Sequence, residues 1–234
     1  MNKKILMCMM LLLSAVGVKA QNGEEQVGRF SIIPRVGVAI ANWTDNALFA
    51  AGVENEMKSK SQAGFLGGVD VEYRATEHFG ISLGAYYARQ GFRFADFEAV
   101  DDADNNQYTG YKNMHANLNY VNVPLMLKAY VAPGFAVMAG AQVGFLVGNS
   151  KLFWEQTDLE KNKDGSTKYM DTQDKKSSIG GKKNMDVSIP LGLSYEYMNV
   201  ILDARYNIGV TKTMDASDSK NKVFTFTVGY RFTL

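Results

Sequence analysis

The sequence is poor in the residues on which disulfide scaffolds and many enzymes depend. Its 234 residues include one cysteine, Cys8, and two histidines, His78 and His115. A lone cysteine excludes a disulfide framework, and no Cys/His spacing suited to a metal is present. Gly-rich phosphate loops and nucleophile elbows are also missing. There is no charge of one dominant sign: 25 Lys plus Arg stand against 24 Asp plus Glu. Such a chain has no global field to draw nucleic acid, so no nucleic-acid partner is expected. Beyond the first twenty residues no apolar run approaches 18, which excludes a transmembrane helix there and leaves strands as the only way across a membrane. What is abundant is glycine and aromatic side chains, 22 Gly with 13 Phe and 12 Tyr. That mixture suits tightly curved sheets with aromatic anchors.

The N-terminus reads as an export signal. Lys3 and Lys4 precede an apolar stretch from Ile5 to Val18, and Val18-Lys19-Ala20 gives a small-x-small cleavage pattern. The expected cut lies between Ala20 and Gln21, which removes Cys8 and places no cysteine at the new N-terminus for a lipid anchor. The expected organisation is a signal peptide over 1–20, a short periplasmic segment over 21–30 and an outer-membrane barrel over 31–234.

Period-2 alternation predicts eight strands. The last is the clearest: Phe224, Phe226, Val228, Tyr230, Phe232 and Leu234 alternate with Thr225, Thr227, Gly229, Arg231 and Thr233. Upstream, alternation predicts strands over about 31–42, 63–74, 79–92, 121–130, 135–147, 187–196 and 200–209. Pro124 and Pro190 interrupt two of them, and each should mark a bulge or a missing ladder hydrogen bond. The connections alternate between short (75–77, 132–134, 198–199) and long and polar (43–62, 93–116, 151–184, 211–221). This asymmetry suits an eight-stranded antiparallel up-and-down transmembrane β-barrel with short periplasmic turns and long extracellular loops, the 151–184 loop being mobile.

Alternation alone also fits a soluble barrel filled by its apolar face, but the export signal and the connection asymmetry favour a membrane barrel, whose polar face points inward. That face carries Arg35, Asp70, Glu72, Arg74, Lys128, Glu196, Asp203, Arg205 and Arg231, a candidate lumen charge network. At eight strands side chains just fill the interior, so a structural plug of paired charges is expected rather than a selectivity filter. Tyr73, Tyr87, Tyr195, Tyr206, Tyr230 and Phe232 fall on the apolar face near strand ends as aromatic girdles, and Trp43 and Trp154 read as interface belts. Asp101, Asp102, Asp104 and Asn105 form an acidic loop stretch without calcium-loop spacing. Nothing in their spacing enforces a catalytic pair with His115, and His78 adjoins a turn.

Three segments resemble the PorT-like or porin family of outer-membrane β-barrels of Bacteroidetes. They are Pro34-Arg35-Val36-Gly37-Val38, the stretch Leu118-Asn119-Tyr120-Val121-Asn122-Val123-Pro124-Leu125-Met126-Leu127-Lys128, and Val228-Gly229-Tyr230-Arg231-Phe232. The terminal strand also looks like a barrel-assembly signal in Tyr230, Phe232 and Leu234, ending in Leu where many end in Phe. The resemblance implies a link to protein export across the outer membrane. The expectation is a non-enzymatic barrel with an envelope or loop-mediated binding role and no cofactor. Its expected partners are outer-membrane lipids, the barrel-assembly machinery, and a protein or small molecule at the external loops. A narrow passive channel and an enzyme with a site at the external rim are the alternatives.

Overall fold

A computed structural model describes residues 27–44, 47–48, 57–102, 107–162, 164–214 and 218–234. The signal segment, its cut at Ala20, Asp104 and Asn105 lie outside the described residues. Among the described residues there are thirteen strands: β1 (Phe30–Trp43), β2 (Ala47–Leu48), β3 (Met57–Lys58), β4 (Lys60–Arg74), β5 (Phe79–Arg93), β6 (Phe97–Asp102), β7 (Gln107–Ala132), β8 (Phe135–Lys161), β9 (Thr167–Ser178), β10 (Met185–Tyr197), β11 (Val200–Gly209), β12 (Asn221–Tyr230) and β13 (Phe232–Thr233). Eight of these close a ring in the order β7-β5-β4-β1-β12-β11-β10-β8, and β8 returns to β7. Every pairing in the ring is antiparallel, so the eight-stranded up-and-down barrel expected from alternation is the fold.

The alternation sorts side chains as a membrane requires. Val36, Val38 and Ile40 on β1, Leu125 and Leu127 on β7, and Leu191 and Leu193 on β10 are exposed, whereas Arg35, Asp70, Lys128 and Asp203 are buried. A soluble barrel would invert this, since water on the outside would select the polar face. Tyr87, Tyr195, Tyr206 and Phe232 project outward and exposed. Tyr73 packs tilted against Phe30 with ring centroids 4.9 Å apart, and Tyr230 against Phe232 at 4.9 Å.

The three short connections gather at one end. Pro133-Gly134 and Met198-Asn199 are two-residue turns, with φ of 74° at Gly134, 48° at Met198 and 65° at Asn199. The turn expected over 75–77 extends to His78, with the Thr76 hydroxyl accepting from the backbone N–H of His78 (3.2 Å) and Phe79 (3.0 Å).

At the opposite end the structure corrects the sequence reading. The connections over 93–116 and 151–184 are largely strand rather than loop. β7 begins at Gln107 and β8 runs to Lys161, with β6 and β9 added along their sides as a four-stranded sheet β6-β7-β8-β9. Past the bilayer no lipid demands an apolar face, so the hydropathy alternation fades while backbone pairing of the β7–β8 hairpin continues. Register shifts at Lys112/His115 and Asn117/Asn119 further blur the period.

The last strand is likewise not continuous: β12 stops at Tyr230 and pairing with β1 resumes at Phe232. Pro34 stands on β1 opposite this break. Pro124 and Pro190 behave similarly. Pairing flanks Pro124 at Leu83↔Leu125 and Tyr86↔Asn122, and flanks Pro190 at Ser188↔Gln142 and Leu191↔Ala139, with register unchanged across each gap. A proline without an N–H drops out of one ladder and keeps the other, as Pro124↔Gln142 and Pro190↔Asn207 show.

Candidate functional site: the filled lumen and its external cap

The inward charges meet in two layers. In the first, the Arg35 Nε donates to Asp70 Oδ2 (2.8 Å) and its Nη1 lies 3.3 Å from Asp203 Oδ2. Arg205 closes the ring through Nη2 to Asp70 Oδ2 (3.2 Å) and Nε to Asp203 Oδ1 (2.8 Å). Two cations and two carboxylates from β1, β4 and β11 therefore neutralise one another in a closed square. The Arg205 guanidinium also faces the Tyr86 ring at 5.5 Å.

The second layer lies toward the short turns. Glu72 pairs with Lys128, accepts from the Tyr130 hydroxyl, and meets Arg231 Nη2 at 2.9 Å. Arg231 also donates through Nε to both Glu196 oxygens, at 2.9 and 3.1 Å. Arg74 stacks 3.8 Å above the Tyr130 ring and donates to the Glu77 carbonyl at 2.8 Å. All nine of the charges expected to face the lumen thus fall in these two layers, and Lys128 and Glu72 have almost no solvent contact.

Small inward residues make the room. A Cβ at Gly84 would lie 2.3 Å from Asp70 Oδ1, and one at Gly229 would lie 2.7 Å from Arg35 Cγ. Tyr86 and Tyr130 were not singled out from the sequence as parts of the network. Their inward parity beside Tyr87 and Ala129 was the available signal. Asp186, whose Oδ2 accepts from Asn221 Nδ2 at 3.0 Å, was also passed over because it precedes the apolar run of its strand.

Above the charges a cavity of about 20 Å³ is lined by Leu66, Tyr86, Asn122, Gln142, Arg205, Asn207, Thr225 and Thr227. Beyond it the interior turns apolar. Trp43, Phe92, Phe94, Met114, Ala116, Leu118 and Tyr120 form one buried cluster, flanked by Leu152, Trp154, Ile179 and Met214. The Trp43 and Phe92 rings are 4.9 Å apart, and the Phe92 and Phe94 rings meet edge-on at 5.7 Å. Trp43 and Trp154 are therefore parts of an internal cap at the external mouth and not interface belts. Alternation failed to place them because each follows the last clearly patterned residue of its strand.

His115 lies on the outer surface of the external sheet, its ring stacked 5.4 Å from Phe153 and its Nδ1 2.6 Å from the Asn113 carbonyl. His78 sits in the exposed turn before β5. Asp101 and Asp102 fall at the end of β6. Among the described residues no three His, Cys, Asp or Glu side chains converge as metal ligands would. Tyr230 and Phe232 face outward at the end of the chain, and Leu234 N donates to the Phe30 carbonyl at 2.8 Å.

A closed antiparallel barrel, apolar outside and ionic inside, defines an outer-membrane protein. The chain belongs to the outer membrane protein beta-barrel domain family, whose model matches residues 19–215, and its location is the cell outer membrane. No curated protein sequence matches it. Among solved structures it is similar to Ail, the attachment invasion locus protein of Yersinia pestis, at 14% identity over 88% of this chain and 99% of that one, with a TM-score of 0.43. Neisserial surface protein A gives 13% identity over 87% and 97%, TM-score 0.42. OprG from Pseudomonas aeruginosa gives 14% over 89% and 97%, TM-score 0.37.

Proposed function

We propose that this chain is a non-enzymatic outer-membrane barrel whose interior is structural and whose external β6–β9 sheet is its acting surface, in an envelope or partner-binding role. The observation that carries this reading is the double closure of the lumen, by buried ion pairs below and the Trp43 cluster above. A conducting path would have to cross both layers. The external sheet, by contrast, offers solvent a strand, β9, that is exposed along nearly its whole length. The finer placement among PorT-like barrels, with a link to protein export, rests on the motifs around Pro34, Pro124 and Tyr230. Outer-membrane lipids and the barrel-assembly machinery are the partners this reading implies, the latter acting on Tyr230, Phe232 and Leu234.

A second reading, a narrow passive channel, draws on the polar cavity between the two closures. Single-channel recording on the folded chain in a planar bilayer separates them, with folding checked by heat-modifiable gel migration. Folded protein without current steps is the expected result. Reproducible steps that change with Arg205→Gln would replace the structural reading with the channel.

A further inference from the structure

Above the apolar band the outer wall of the barrel becomes cationic on one side. On β5 the outward face is apolar from Phe79 to Tyr87 and then presents Arg89 and Arg93. At ~3.3 Å per residue and a tilt of roughly 40°, Arg89 stands about 25 Å up the wall and Arg93 about 10 Å higher, at the level of lipid headgroups. Lys60, Arg93, His115, Phe153 and Lys176 are direct cross-strand partners in a single rung over β4, β5, β7, β8 and β9. Directly opposed residues share a face, so these side chains project together. Lys151, paired with Asn117, lies one rung below on the same face.

Two features point to an anion over this rung. Lys60 stands directly opposite Arg93, an arrangement that destabilises a strand pair when nothing lies over it. Among the described residues, Lys60, Arg89, Arg93, Lys151 and Lys176 make no ion pair, although Lys161 and Lys212 elsewhere on the surface do. Of the carboxylates nearby, Asp96 and Glu155 are occupied by Asn113, at 3.1 and 2.5 Å, and Asp174 stands opposite Glu155, one rung above Lys176. The cations sit on the lipid-facing wall directly above exposed Tyr87 and Phe145, so an anion carried by a lipid reaches them without leaving the bilayer.

We propose that Lys60, Arg93 and Lys151, with Arg89 below and Lys176 beside them, bind the phosphate of a phosphorylated glycolipid in the outer leaflet. Charge-assisted bonds to phosphate hold the headgroup while its chains lie along the apolar wall beneath. The test titrates the full chain, in detergent, with diphosphoryl lipid A, with lipid A stripped of phosphate, and with inorganic phosphate, read by native mass spectrometry. The expected result is preference for the phosphorylated lipid. Its affinity should fall roughly tenfold or more in Lys60→Gln/Arg93→Gln/Lys151→Gln and stay unchanged in Lys222→Gln on the far wall.

Heat-modifiable migration confirms folding of each variant, and Arg93→Gln alone, with a loss of roughly threefold, serves if the triple variant does not fold. Equal binding of the stripped lipid, or unchanged affinity in the folded variants, would overturn the proposal. So would displacement of the lipid by equimolar inorganic phosphate, which would make the occupant a free anion. A dimer that hides the rung would overturn it too, in favour of a second copy of the chain.

Discussion

Glu72 has almost no solvent contact and bonds to Lys128, Arg231 and the Tyr130 hydroxyl from three directions. Removing its charge strands Lys128 in the lumen and leaves Arg231 with Glu196 alone. Glu72→Gln should cost roughly 3–5 kcal/mol, the usual consequence of breaking a buried pair on one side. Glu98→Gln, which breaks the exposed pair with Lys161 at 2.9 Å, should cost about 0–1 kcal/mol. Urea unfolding in lipid vesicles, followed by the fluorescence of Trp43 and Trp154, compares the two; equal losses would mean the lumen is hydrated enough to screen the network. At this scale parity in the sequence put all nine charges on the inward face. Which carboxylate meets which cation was not legible, because the square joining Arg35, Asp70, Asp203 and Arg205 brings together residues up to 170 positions apart along the chain.

At the scale of the element, the turn after β10 is under local strain. Met198 and Asn199 both adopt positive φ, 48° and 65°, as a two-residue hairpin turn with the twist of its strands requires. Methionine tolerates that region poorly, whereas Asn-Gly suits it. The double change Met198→Asn/Asn199→Gly should stabilise the barrel by about 1 kcal/mol, seen as a higher urea midpoint with unchanged slope. No gain would mean that packing around the turn outweighs the backbone preference. The strands themselves were legible wherever lipid faces them, as in β11 and β12. β6, β9 and the outer halves of β7 and β8 were not, because those segments carry polar residues on both faces and read as loop.

For the whole molecule, the bilayer is the outer half of the core. Leu83 lies midway along the outward series of β5 and is exposed, so Leu83→Arg places a charge near the bilayer midplane. The expected cost is roughly 2–4 kcal/mol, against about 0–1 kcal/mol for the same change at Phe79 near the interface. Vesicle unfolding with heat-modifiable migration measures both; equal costs would put Leu83 outside the membrane.

The sequence by itself determined the number of ring strands, which face of each meets lipid and the short-turn end, because a side-chain period of two and a turn length are local quantities. Only the tertiary structure decided that the long connections rise as a sheet, that Trp43 turns inward to cap the lumen and that Lys60 stands opposite Arg93. Those depend on cross-strand register, which bulges shift by single residues and which is fixed only when the ring closes.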